Sequence, residues 1–273
     1  MEDALLSIEP SLRLGVFLGV LLAMGLWEGL APRRPATYSK LKRWITNLGL
    51  SIVNGLVLRV LVPVLAVGAA TWAENQSLGL LNLVELPFIV ACIFAFLALD
   101  LLIYSQHVVF HHVPVFWRLH QVHHADPNID TSTGIRFHPI EILLSMGIKI
   151  AAVIVLGAPA VAVIIFEIVL NATSLFNHGN VRIAGFIDRW VRRVFVTPDM
   201  HRVHHSVIRS ETDSNFGFNF SFWDRIFGTY REAPKKGHLD MKIGLPEHQN
   251  DGPTKILWSL GLPFRALHGK DGS

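Results

Sequence analysis

The chain has 273 residues and a formal net charge of +3; 51% of its residues are hydrophobic and only 16% are charged. Soluble domains carry roughly 25% charged residues, so this composition, with a mean hydropathy of +0.41, excludes an ordinary water-soluble globule and a disordered chain, and points to a membrane. Mild basicity without a dense Lys/Arg patch excludes a nucleic-acid groove, and a single cysteine, Cys92 in the apolar run Ile89 to Leu99, excludes an internal disulfide, a Cys-ligated zinc site and an iron–sulfur cluster.

In chain order, Leu12 to Ala31 is a nearly uncharged run interrupted by Glu28, and its roughly 20 residues match a hydrocarbon core of about 30 Å. Its flank carries Glu2, Asp3 and Glu9 against Arg13, the wrong charge for a secretory signal, so no cleavage is expected. The loop Pro32 to Trp44 holds Arg33, Arg34, Lys40, Lys42 and Arg43 and no acid, which places it in the cytoplasm and the N-terminus outside. Ile45 to Ala70 reads as a second span, with Arg59 and Pro63 predicting a kink or a shielded polar face. Thr71 to Glu85 has acids but no Lys or Arg, as an outside loop should, and Leu86 to Gln106 returns, so His107 emerges on the cytoplasmic side.

Pro139 to Phe176 is 38 mostly apolar residues, about 57 Å as one helix, nearly twice the hydrocarbon thickness. It must fold back, and Gly157-Ala158-Pro159 is the natural break. Ile183 to Val196, with Arg182, Arg189, Arg192 and Arg193 beside Phe186, Trp190 and Phe195, reads as a basic amphipathic helix on the membrane surface. The tail 231–273 is polar beyond Lys235 and includes Ile256 to Leu267, too short to span and read as a further interfacial segment. The expected fold is all-α: a single integral-membrane domain over 1–273, with three spans plus a helical hairpin, under a cytoplasmic histidine-rich helical cap.

Histidine carries the functional argument: of 14, 11 lie between His107 and His205. His107 and His111 are spaced i, i+4 on one helical face. His120, His123 and His124 follow at offsets of three and four, so one short helix offers three imidazoles, and 81 residues later His201, His204 and His205 repeat the pattern. Eight histidines exceed the four that one tetrahedral ion takes, so two metals are implied; imidazole suits Zn, Cu, Fe and Ni alike. His268 stands outside the pattern and is read as an ordinary histidine.

At this point the chain resembles the fatty acid hydroxylase/sterol desaturase superfamily of integral-membrane, non-haem di-metal oxidases. The resemblance runs from about Pro87 to Tyr230 and rests on Asp100-Leu-Leu-Ile-Tyr104 before His107 and His111, Trp117-Arg118 before His120, and Phe176-Asn-His-Gly-Asn180. It rests further on Thr197-Pro198 before His201, and on Asn219-Phe-Ser-Phe-Trp-Asp-Arg-Ile-Phe-Gly-Thr-Tyr230. It implies a catalytic region over 87–230 and two metal ions, most naturally iron, with O2 as co-substrate and a lipid entering from the bilayer. The implied ligands are His107, His111, His120, His123, His124, His201, His204 and His205, with His178 as a ninth. Fatty acid 2-hydroxylases of the superfamily have a further histidine four residues before the one matched by His178; this chain has Ser174 there, which leaves that place to water or one metal a ligand short. His138, in a Phe-His-Pro run like that of the sterol branch, is read as a supporting residue.

Asp100 lies two helical turns before His107, and an acid inside a span is costly unless satisfied or functional. It either orients a ligand imidazole or pairs with Arg59 or Tyr104. Asp224 and Arg225 read as a local pair that stabilises the cap. With no dinucleotide fingerprint, haem site or cluster cysteines, an external electron donor, a reductase or small carrier, is expected at the basic face. The expected activity is O2-dependent hydroxylation or desaturation of a lipid C–H bond. A metal transporter would need ligands near the midplane, where only scattered Arg59, Asp100, Lys149 and Glu167 stand; the remaining alternatives are a membrane zinc-dependent hydrolase, though H-E-x-x-H is absent, and a non-catalytic metal-binding membrane protein.

Overall fold

The computed structural model describes residues 2–265, with side chains from Leu6 onward. The helices that matter here are α1 (Glu2–Leu30), α2 (Lys40–Leu61), α3 (Ala66–Asn75), α4 (Phe88–His112), α5 (Pro114–His124), α6 (Pro139–Leu156), α7 (Ala160–Asn177), α8 (Gly185–Val191), α9 (Pro198–His204), α10 (Arg209–Thr212) and α11 (Phe222–Ile226). Among the described residues there is no strand, only three isolated bridges such as Phe195 with Phe220. Five stretches are long and apolar enough to cross a membrane: Leu6–Leu30, Lys40–Asn82, Phe88–His112, Pro139–Leu156 and Ala160–Asn177. Their outer faces are apolar and bare, as on α1, where Leu14, Leu18, Leu22 and Leu26 repeat every four residues and are all exposed.

Small residues set the packing. α7 lies against α1, α3 and α4, and the core between them is Ala66, Ala70, Ala95, Leu99, Ala158, Ala160, Val163 and Phe166, so backbones approach closely enough for van der Waals contact to replace the missing hydrophobic drive. The kink expected at Pro63 is a full break: α2 ends at Leu61, Val62 is extended, and α3 starts at Ala66, because a proline lacks the N–H and disfavours helix in the residue before it. Arg59 is exposed rather than shielded, while Asn54 is buried and donates to the Phe137 carbonyl at 3.0 Å.

The hairpin turns at Gly157, whose φ of 62° caps α6 in the left-handed region. A Cβ there would stand 2.6 Å from the Leu78 carbonyl oxygen. Gly157→Ala therefore meets both backbone strain and a backbone clash, and is expected to lower stability by roughly 2 kcal/mol, read as a drop in the unfolding midpoint in detergent; an unchanged midpoint would show that the α6–α7 turn relaxes freely.

One expectation is corrected. Ile183 to Val196 is not one amphipathic helix: α8 covers only Gly185–Val191, and Arg192 is buried, pairing with Asp188 and donating to the Glu232 carbonyl. The chain turns there because Phe195 must bridge Phe220; Phe186 and Trp190 remain exposed, with Arg193 over the Trp190 ring. The segment after Lys255 packs on the fold by one side: Ser259 and Leu262 are buried and Ile256 packs on the cluster of Leu50, Trp117 and Val122, while Leu257 and Phe264 are exposed. His268 and the end of the Ile256 to Leu267 stretch lie outside the described residues.

A buried ion cluster ties α2 to the segment after α5. Arg43 is 1% exposed; its Nε and Nη2 donate to the two oxygens of Asp126 at 2.5 and 2.7 Å, and Nη1 donates to Asp130 at 2.6 Å. Burial disfavours the Asp126 charge, yet the attraction and hydrogen bonds of Arg43, with Arg136 and Thr133 adding, outweigh it and hold this carboxyl below its ordinary value. Next to it, fully buried Arg136 donates to the Val122 carbonyl, Asn47 and Ser259 at 2.7 to 2.8 Å.

Candidate metal centre

α4 ends where Pro114 cannot continue it. Val113 is extended and Pro114 opens α5, so the chain doubles back and lays the histidines of α5 over those of α4. Further on, Thr197 caps α9 by accepting from the Met200 amide, with Pro198 at the first helical position, which aims the later histidines at the same place. α7 delivers His178 from its C-terminal end.

The nine histidines sit in two buried groups: His107, His111, His120, His124 and His204 in one, His123, His178, His201 and His205 in the other. Neither repeat stays together. Residues at i and i+4 lie about 40° apart around a helix and the i+3 residue falls about 60° to the other side, so each repeat gives its i, i+4 pair to one group and its i+3 histidine to the other. His204 of α9 thereby joins the α4–α5 group, and His123 of α5 joins His201 and His205.

Partners at Nδ1 fix the imidazoles. His107 donates to the Phe216 carbonyl at 2.8 Å, His204 to the Ser214 carbonyl at 2.8 Å, and His120 to Glu141 Oε1 at 2.6 Å. The Nε2 atoms of these three are buried and, among the described residues, have no hydrogen-bond partner. In the second group His123 donates to the Arg136 carbonyl at 3.2 Å and His178 to that of Ser174 at 2.7 Å. Their Nε2 atoms are therefore both lone pairs, yet face each other at 3.1 Å; His201 and His178 meet at 2.9 Å and His205 and His201 at 3.3 Å. The confronted lone pairs of His123 and His178 repel unless a cation sits beside them, and all three separations suit one ion, since nitrogens about 2.1 Å from it at roughly 90–105° to each other lie roughly 3.0–3.3 Å apart. The residues fit two metal ions.

Charge state agrees. Burial first, then the closeness of other imidazoles, pushes His123, His124, His201 and His205 well below the ordinary histidine value; burial takes His178 to about 4 and His204 to about 3. All six are neutral at pH 7, which is the ligating form.

The two supporting residues expected from the sequence stand elsewhere. Among the described residues Asp100 makes no hydrogen bond to an imidazole and pairs with neither Arg59 nor Tyr104: it accepts from Trp223 Nε1 at 2.9 Å. His138 caps α6, accepting from the Ile140 amide and donating to the Leu260 carbonyl. The closing segment acts through the backbone instead. Asp224 accepts from the amides of Phe216 and Gly217 at 2.7 and 2.8 Å and from Thr229 at 2.6 Å, and so holds the Phe216 carbonyl on which His107 rests. Arg225 stacks on Tyr230 and donates to the Arg192 carbonyl.

Sequence reasoning missed Glu141 and Asp213, the latter 3.3 Å from His111 Nδ1. The signal for Glu141 was present: an acid in the first turn of an otherwise apolar helix. Glu141→Leu is expected to weaken metal retention about 10–100-fold against a competing chelator, whereas Ser145→Ala, one turn further, leaves it unchanged; equal retention in Glu141→Leu would show that His120 needs no anchor.

Beside the first group a cavity of about 250 Å3 opens, lined at the histidine end by His107, His120, Ile103, Phe110, Phe137 and Phe218. Ser174 reaches it too; its hydroxyl donates to the Gly134 carbonyl at 2.7 Å.

Residues 92–229, half of the chain, match the family described as fatty acid hydroxylase. An ornithine lipid hydroxylase of Rhizobium tropici is 30% identical over 142 residues, 52% of this chain and 42% of that protein. The human alkylglycerol monooxygenase is 26% identical over 185 residues, 64% of this chain and 38% of its own, and the cholesterol 25-hydroxylase of Rattus norvegicus is 26% identical over 197 residues, 70% and 62% respectively. The chain thus spans about two-fifths of the length of the first two. No solved structure matches.

Proposed function

The chain belongs to the fatty acid hydroxylase family, and from that premise we propose that it is a multi-pass membrane oxygenase that hydroxylates a lipid. The observation that carries the reading is the pair of buried histidine groups whose unprotonated Nε2 atoms converge. Two iron ions are assigned to them, one to His107, His111, His120, His124 and His204, the other to His123, His178, His201 and His205. When bound they supply O2 activation, and the overall reaction is R–H + O2 + 2 e⁻ + 2 H⁺ → R–OH + H2O. The names of the three relatives, all hydroxylases or monooxygenases of lipids, favour hydroxylation over desaturation.

The chain's own residues do the positioning. Glu141, Asp213 and the carbonyls of Phe216, Ser214, Arg136 and Ser174 hold six of the nine imidazoles, those of His120, His111, His107, His204, His123 and His178, in one tautomer. Ile103, Phe110, Phe137 and Phe218 line the approach to His107 and His120 and exclude water from it. The lipid enters from the bilayer between the spans, and the electrons come from a separate donor docking on the basic face. The catalytic region is assigned to 87–230 and the tail to 231–273, with the N-terminus outside and the histidine cap in the cytoplasm, an orientation supported by the basic loop Pro32 to Trp44.

The test is metal analysis with O2 uptake on detergent-purified protein. About two irons per chain, reductant-dependent uptake, and lipid products carrying one added oxygen atom are expected. Tightly held zinc after metal-controlled expression, with no uptake from any donor, would instead support a hydrolase.

A further inference from the structure

The cavity beside His107 and His120 changes character away from the histidines. Among apolar Leu58, Met146 and Leu170, its lining there also carries Lys149, Glu167 and Arg13. Glu141, Ser145 and Lys149 are each four residues apart and share a face of α6, so this polar stripe runs roughly 12 Å from the partner of His120 into the span. At its end Glu167 lies between two cations, Lys149 Nζ at 2.7 Å and Arg13 Nη1 at 2.8 Å, and Arg13 is also held by Glu9 at 2.7 Å. Lys149 has three donors, and among the described residues only Glu167 accepts from it.

A pocket for a hydrocarbon tail has no use for this wall. Ions inside a membrane are costly to desolvate, and an ion pair is weak evidence of a merely structural tie, since apolar residues of similar volume serve that purpose as well or better. The cavity, of about 250 Å3, has room for a head group and the first methylenes of its chain. Resting on the lipid-hydroxylase reading above, we infer that this cavity takes the polar end of its substrate, an acyl lipid whose head group bears a free carboxylate held by Lys149, while the chain stays in the bilayer. The oxidised carbon then lies within roughly 12 Å of that carboxylate. A carboxylate suits the site better than a phosphate because Glu167 already offsets part of the positive charge of Lys149 and Arg13, and a doubly charged group would add more repulsion from it.

The experiment uses the full chain, iron-loaded, in phosphatidylcholine nanodiscs, with N-palmitoylglycine, its methyl ester, palmitoyl phosphate and N-acetylglycine as probes, and reads dissociation constants from the shift of the unfolding midpoint. N-palmitoylglycine is expected to bind at least about tenfold tighter than the ester and the phosphate, with N-acetylglycine, which lacks the chain, showing no shift. Lys149→Met should abolish the preference for the acid over the ester and Lys149→Arg should retain it, both with unchanged iron content. Equal binding of acid and ester by the wild-type chain, a preference that survives Lys149→Met, tighter binding of the phosphate, or equal binding of N-acetylglycine would each overturn the inference. The wild-type comparison decides even where Lys149→Met does not fold. Failure here with iron and O2 uptake intact sinks this inference alone; absence of iron and uptake sinks the oxygenase reading.

Discussion

Alanine at His204 is expected to remove the ion assigned to His107, His111, His120 and His124, not one shared with its own sequence neighbours His201 and His205. Metal content should fall from about two to about one per chain, and hydroxylation by at least about a hundredfold. The reason is the crossing: His204 leaves α9 about 60° round from His201, turned away from His205, and reaches the α4–α5 group. Double variants read the assignment directly. His204→Ala with His107→Ala should still retain about one ion, because both act on the same group, whereas His204→Ala with His201→Ala should retain about none. The reverse pattern would mean that each repeat holds its own metal.

Arg43→Met is expected to be the most damaging change outside the histidines. It leaves Asp126 and Asp130 buried without their cation, and an uncompensated buried charge costs about 3–5 kcal/mol, a large part of the roughly 5–15 kcal/mol that holds most proteins together. The variant should accumulate poorly and melt far below the wild type in detergent, with Arg43→Lys intermediate because it keeps the charge and loses the bidentate geometry. An unchanged midpoint would show that the two carboxylates share a proton or reach water. The same cluster fixes a pH dependence. The folded value of Asp126 is below its unfolded value of about 3.9, so its contribution is fully present above about pH 4 and is lost only as pH falls further, through the folded value. Between pH 7 and pH 5 this carboxylate should leave stability flat.

What could be read from the sequence was what repeats locally. The apolar runs, the turn at Gly157-Ala158-Pro159 and a disturbance at Pro63 follow from length and from backbone chemistry that acts within a few residues. The histidine patterns were legible for the same reason. Their partition between two groups was not, because it depends on which helix faces which, and no spacing within α5 reveals that His123 looks towards α9. Asp100 was misread for a related reason: its position two turns before His107 was known, but its partner Trp223 is 123 residues away in sequence. The closing Trp-Asp-Arg segment was recognisable as a pattern, yet its physical role, fixing the carbonyl that orients His107, emerges only from the amides that Asp224 binds. Ile183 to Val196 failed because amphipathic spacing cannot foresee that Phe195 is needed elsewhere.

The crossed sharing of histidines also dictates an order of assembly. With the ions bound as proposed, each one joins α5 to α9, across a stretch of about 80 residues that includes the whole α6–α7 hairpin. By chain-entropy reasoning a cross-link over a loop of that length restricts the unfolded chain by about 4–5 kcal/mol, so the metals act as staples of the newly made polypeptide as well as its chemistry. Neither ion can be fully captured until α9 has left the ribosome, by which time both arms of the hairpin have already been synthesised. The first histidines alone leave both sites incomplete: the α4–α5 group still lacks His204, and the other group, holding only His123, still lacks His178, His201 and His205, all of which follow the hairpin.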